Sequence, residues 1–289
     1  MKLLNIFVRF LVAVTFVFGV DLLRAADAGP APVTAAEWIA RGVELSRNAE
    51  YRQAADAFSE AVEIQPTFAD AYLNRAIMFV KLGEWKKAEA DCTKAIELDA
   101  DNARSYQQRA VARSQLGLRE AAFADASRAV RMEPADPGIV FTRYLTCSRM
   151  GRHELCHFSG ETYIGIQRWS DKWSPYMALL NSVSLRRAGY EEESQSILNE
   201  ASKWLNNENW PMPLVLYLQG KLDAENLMER ATDDERRTLA HYYIGVNEWL
   251  NGDVPSAKPH LEWVRDNGSK DFLQSMLAED HLNEIAATE

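Results

Sequence analysis

Between residues 35 and 136, the small and bulky apolar positions of the chain recur every 34 residues. In copies aligned from Ala35, Ala69 and Ala103, position 4 carries a large aromatic (Trp38, Tyr72, Tyr106) and position 8 a small residue (Gly42, Ala76, Ala110). Positions 20 and 27 carry alanine in every copy (Ala54, Ala88, Ala122; Ala61, Ala95, Ala129). A fixed period of this size marks a stack of like supersecondary units, each too small to bury its apolar face alone. Each unit predicts two antiparallel helices, A and B. Gly83 and Gly117, both at position 15, mark the turn between them, where left-handed backbone costs glycine little. Pro66 and Pro134 at position 32 stop helix B, with Ala100 in the middle copy. Small residues at 8, 20 and 27 let neighbouring helices approach closely. The aromatics at 4, 17 and 24 (Trp38, Tyr51, Phe58, Tyr72, Trp85, Tyr106) fill the wider gaps.

Beyond residue 136 the pattern weakens without ending. A fourth copy runs from Pro137, with Val140, Tyr144, Gly151 and Cys156 at positions 4, 8, 15 and 20, and its helix B departs from the pattern. Residues 168–175 read as a loop. A fifth copy follows from Pro175, with Ser182, Gly189, Ser194 and Ala201 at 8, 15, 20 and 27. Residues 206–213, rich in asparagine and proline, read as a break, and 214–231 as a short helical pair. Thr232, with Glu235 three residues on, reads as a helix cap. It precedes a clear copy from Thr238, with Gly245, Gly252, Ala257 and Val264. Residues 269–287 predict a last amphipathic helix, with Phe272, Leu273, Met276, Leu277 and Leu282 on one side, placed to cap the open end of the stack.

The small-residue register and the period together resemble the tetratricopeptide repeat (TPR). The resemblance implies an all-α fold, a TPR-type α-solenoid of helix-turn-helix repeats with a C-terminal capping helix, and a protein-binding role without catalysis or cofactor. It also implies that the concave face is lined by positions 2, 5, 6, 9, 12 and 13 of the A helices. Positions 5 and 9 are here Ile39 and Val43, Leu73 and Ile77, Gln107 and Val111, Phe141 and Leu145, apolar in seven of eight cases. Position 13 is Arg47, Lys81, Gln115 and Arg149, a basic edge beside an apolar groove. An exposed apolar row of this kind marks an interaction site for a protein or peptide with an apolar segment. The carboxylate clamp of chaperone-binding TPR domains is not supported. At its positions stand Ile39, Val43, Asn74, Arg104 and Gln108, of which only Asn74 and, by charge, Arg104 fit.

Residues 1–28 differ in kind. Lys2 and Arg9 precede an apolar run, and Ala26, Asp27 and Ala28 follow, the order of a secretory signal peptide cut after Ala28. The run is shorter than the roughly 20 residues of a membrane span, so no stable insertion is expected after cleavage. Residues 29–34 read as a flexible leader, 35–168 as repeats 1–4, and 169–289 as a degenerate helical half. A signal peptide followed by TPRs resembles exported bacterial TPR adaptor proteins and implies a soluble protein of the periplasm or the exterior. The net charge of −10 goes to −11 when the signal takes three cations and two anions with it. That balance repels nucleic acid.

Two sequence features carry other chemistry. His153, Glu154 and His157 form H-E-x-x-H, the zinc-metallopeptidase pattern, with Glu161 one turn further on. The segment falls in the first turn of a helix B, without an evident third ligand or a strand to hold a substrate. A zinc peptidase is therefore the alternative reading, not the main one. Of three cysteines, Cys92 sits at a core position, while Cys147 and Cys156 face each other across the fourth hairpin as either a disulfide or two packed thiols. A self-associating structural protein, its groove filled by a homodimer partner or by its own terminal helix, is the second alternative.

Overall fold

A computed structural model describes residues 34–205, 209–269 and 273–288. These residues form fifteen helices and no strand. The first four hairpins are α1 (Ala35–Arg47) with α2 (Tyr51–Ile64), α3 (Ala69–Lys81) with α4 (Trp85–Leu98), α5 (Ala103–Gln115) with α6 (Arg119–Met132), and α7 (Pro137–Arg149) with α8 (His153–Gln167). Next come α9 (Ser174–Arg187) with α10 (Glu191–Trp204), a short pair α11 (Met212–Leu218) with α12 (Ala224–Arg230), and α13 (Asp234–Leu250) with α14 (Val254–Asn267). The last helix, α15 (Leu273–Thr288), has no partner of its own. Each helix packs on its neighbours in the chain, and the A helices α3, α5 and α7 also meet in series, as in a solenoid.

The repeated alanines set this packing. Ala54, Ala88, Ala61, Ala95 and Ala129 are fully buried, and Ala122 is 1% exposed. Position 8 is stricter in the first repeat, where a Cβ on Gly42 would lie 2.6 Å from the Phe58 ring. Gly83 and Gly117 take φ of 71° and 76° and turn A into B as expected. A charged feature accompanies the alanines. Arg75 grips Asp91 through two hydrogen bonds, at 2.7 and 2.8 Å, and reaches Ser59 of the preceding hairpin at 3.1 Å. One repeat later Arg109 repeats the arrangement with Asp125 (2.8 and 2.8 Å) and Thr93 (3.3 Å). Arg143 meets Ser159 where the next aspartate would stand.

The packing changes along the chain. Hairpins one to three are held by small local clusters, whereas one large core extends from Val140 to Ile285. At its centre α9 is buried on every side except at its last turn, as its even spread of apolar and small residues dictates.

Several boundaries differ from expectation. Thr34 belongs to α1 rather than to a leader, since its Oγ1 accepts from the Glu37 amide at 3.2 Å and the Glu37 carboxylate accepts from the Thr34 amide at 3.0 Å. The signal peptide and the rest of the leader lie outside the described residues, as do 206–208 of the break and Phe272. The cap of α13 is Asp233, not Thr232, with Oδ1 accepting from the Arg236 amide at 2.8 Å. Among the described residues no helix is long and apolar enough to cross a membrane.

Candidate functional site

Five A helices end on one register: α1 on Arg47, α3 on Lys81, α5 on Gln115, α7 on Arg149 and α9 on Arg187. A cation in the last turn complements the helix dipole. Here the row does more, because α15 crosses its last three members. Gln115 Nε2 donates to Met276 Sδ at 3.3 Å. Asp280 accepts from Arg149 Nε at 2.9 Å and from Arg119 at 3.3 Å. Arg149 also donates to the Ser114 carbonyl and hydroxyl, at 2.9 and 3.0 Å. Arg187 pairs with Glu284, lies 3.3 Å from His281 Nδ1, and covers the Trp249 ring at 4.7 Å. Met276, Asp280 and Glu284 are four residues apart, so one face of α15 carries all three contacts. The helix therefore does more than cap the stack. It lies across the C-terminal ends of α5, α7 and α9.

This placement corrects the expected groove. Arg149 is 13% exposed and held by Asp280, so the basic edge is closed at the fourth repeat. Leu73 is 6% exposed and belongs to the core. The other apolar groove positions are half-buried rather than open: Ile39, Val43, Ile77, Val111, Phe141 and Leu145. Asn74 and Gln108 are half-buried beside them, and Arg104 is exposed. Arg47 and Lys81 are exposed, and no carboxylate among the described residues pairs with either. Among the described residues the part of this face that α15 leaves open thus runs over α1 and α3 up to α5, where Met276 meets Gln115.

A second concavity was not anticipated. A cavity of about 770 Å³ lies between α7, α9, α13 and the start of α15, walled by Phe141, Tyr163, Trp173, Tyr176, Trp210 and Leu239. Lys172 sits over the Trp173 ring at 4.8 Å, and Arg236 over Trp210 at 5.8 Å while paired to Asp233 at 3.1 Å. The Trp210 indole nitrogen is buried without an acceptor among the described residues. Of these walls only Phe141 was singled out from the sequence, because Trp173 and Trp210 come from irregular segments. The arrangement fits a bulky apolar side chain of a ligand.

The H-E-x-x-H segment does not assemble as a metal site. His153 opens α8 and is buried, at 8% exposure, among Tyr144, Arg187, Tyr242 and His281, and Glu154 is exposed. Burial, with a smaller push from Arg187, lowers the His153 pKa to about 3. His157 Nε2 is 3.4 Å from Glu161. Among the described residues no group of three or more His, Cys, Asp or Glu is arranged to hold a metal ion. Cys147 and Cys156 stand as buried thiols in contact, the Cys156 thiol pushed up by its hydrogen bond with Cys147 and by burial. Cys92 is fully buried, which raises its thiol to about 12.

Residues 69–102 match the tetratricopeptide repeat model. No curated protein matches the chain. Among solved structures it is similar to a MamA protein, with 16% identity and a TM-score of 0.54 over 60% of this chain and 93% of that one. MamA from Desulfovibrio magneticus RS-1, residues 41 to the end, aligns with 10% identity and a TM-score of 0.53 over 61% and 97%. The first TPR of RPAP3, solved bound to an HSP90 peptide, aligns with 23% identity and a TM-score of 0.40 over 40% and 93%. The likeness to MamA is one of fold.

Proposed function

We propose that this chain, a tetratricopeptide-repeat solenoid, is a non-enzymatic scaffold that holds a helix or peptide of a partner protein against the inner face of repeats 1–3. The TPR fold suits protein-protein interaction. The observation that carries the finer reading is α15, a helix seated on this same side at α5, α7 and α9. Over α1 and α3 no described helix covers the equivalent strip, which offers Ile39, Val43 and Ile77 beside Arg47 and Lys81. In this reading repeat 4 and the second half, 169–289, hold the internal helix rather than the partner. The pattern of residues 1–28 supports export and a soluble protein of the periplasm or the exterior.

The test is capture from the native compartment by the parent chain and by an Ile77→Asp/Val111→Asp variant. Both side chains are half-buried, so circular dichroism and a melting curve establish that the variant is folded. A partner held by the parent and lost by the folded variant supports the groove. Identical captures overturn it. A concentration-dependent dimer lost with the same variant gives the groove to a second copy instead.

A further inference from the structure

The basic row along the inner face is half used. Arg149 and Arg187 hold Asp280 and Glu284 of α15, while Arg47 and Lys81 occupy the same helix-final position three and two repeats before Arg149, with no acidic partner among the described residues. The register is strict: 47, 81, 115 and 149 are 34 apart, and 187 follows after the inserted loop. In a chain of net charge −10 this row is a local exception, and α15 displays what it takes. Its acids sit four residues apart, one per A helix, on a helix running from the third repeat toward the fifth.

We infer that the partner segment on repeats 1–3 is an α-helix with two carboxylates four residues apart on one face, which pair with Arg47 and Lys81 as Asp280 and Glu284 pair with Arg149 and Arg187. This rests on the groove reading above and adds the chemistry of the occupant. The apolar flank of such a helix meets Val43 and Ile77, each one turn before its cation on the same helix. The two charges set register and orientation, and the apolar contacts supply most of the affinity. A helix lacking the acids would leave both cations facing it unpaired.

The probe is a 16-residue peptide with the sequence of Leu273–Thr288, stapled at its positions 279 and 283 because isolated helices of this length are marginal. Those two positions, Glu279 and Asn283, are exposed in the chain. Its affinity for the full chain is measured by fluorescence anisotropy against a probe with Asp280→Asn and Glu284→Gln, and against a chain carrying Arg47→Glu and Lys81→Glu. The expected result is saturable binding that falls roughly tenfold with either change, two weak exposed pairs acting together. Arg47 and Lys81 are exposed, so their reversal leaves the fold intact. Equal affinity for the neutral probe, no binding by either probe, or binding indifferent to Arg47→Glu/Lys81→Glu overturns the inference. None of these touches the groove reading, which fails only if the Ile77→Asp/Val111→Asp chain keeps the native partner.

Discussion

Arg149 and Asp280, 131 positions apart in the chain, meet at 2.9 Å, and each side chain is 13% exposed. Arg149 closes the A helix of the fourth repeat, and Asp280 lies midway along the last helix. The pair ties the end of the chain to its middle. Without it α15 would lose its hold on the fourth repeat and keep Glu284 on Arg187 and its packing on α13 and α14.

Asp280→Asn should therefore loosen α15 without unfolding the first three hairpins. Arg149 and Arg119 would lose their shared carboxylate. For a pair this shielded the cost is about 1–3 kcal/mol, the range of a charged hydrogen bond left unmade. Hydrogen exchange should rise in 273–288 and stay unchanged in 35–98. Protection of α15 equal to that of the parent would mean that Glu284 on Arg187 and the apolar contacts of Leu277 and Ile285 hold it without Asp280.

The Arg109 and Asp125 pair is the more expensive one to break. Asp125 accepts from Arg109 twice and from Arg113 at 2.8 Å, and its side chain is 8% exposed. Asp125→Asn leaves the shielded Arg109 guanidinium without its carboxylate and Arg113 with Glu89 alone, a loss of about 3–5 kcal/mol for a buried pair. Ser159→Ala, at the same register one repeat later, removes a single neutral acceptor from Arg143 and should cost about 1 kcal/mol. Urea titrations of the two variants, read by circular dichroism, test the order. Equal midpoints would remove the ionic ladder from the account of stability.

Two glycines of similar sequence context should respond with opposite sign. Gly42→Ala sets a methyl carbon 2.6 Å from the Phe58 ring and should destabilise by about 1–3 kcal/mol through overpacking. Gly165→Ala, within α8 with nothing inside 4 Å of the added carbon, should stabilise by up to about 1 kcal/mol through helix propensity. Melting temperatures of the two purified variants decide both signs at once.

What the sequence disclosed follows from how local each feature is. The A–B turns at Gly83 and Gly117 and the close approaches at Ala54, Ala88 and Ala122 depend on neighbours within one repeat, so a 34-residue register displays them. Arg75 with Asp91 and Arg109 with Asp125 were equally visible, 16 apart and repeated in register. Their pairing does not follow from the small-residue register, which fixes the helix approaches but not which charges face each other across the hairpin. The path of α15 was not legible, since nothing near Met276 or Asp280 in sequence points to Gln115 or Arg149. For the same reason the sequence left Arg149 on an open basic edge, where Asp280 in fact holds it. The aromatic cavity escaped because Trp173 and Trp210 lie in irregular segments, where no periodicity assigns a face.

The buried histidines make acid the condition that weakens this fold. Burial lowers His153 to about 3 and His241 to about 4, and holds His281 well below its ordinary value of 6.5. The unfolded chain, with histidines near 6.5, takes up these protons first. Stability is then complete above about pH 6.5 and declines as pH falls toward the folded-state values, by up to about 1.4 kcal/mol per pH unit for each histidine. Chemical denaturation at pH 7, 6, 5 and 4.5 should trace this slope before most carboxylates titrate. His153 offers a control, since both of its ring nitrogens are buried without a partner among the described residues. His153→Leu removes an unpaired polar ring from an apolar site and one proton from the balance. The variant should match or exceed the parent at pH 7 and pull ahead of it at pH 5. A variant weaker than the parent at both pH values would mean that the imidazole has a partner, and that the acid sensitivity arises elsewhere.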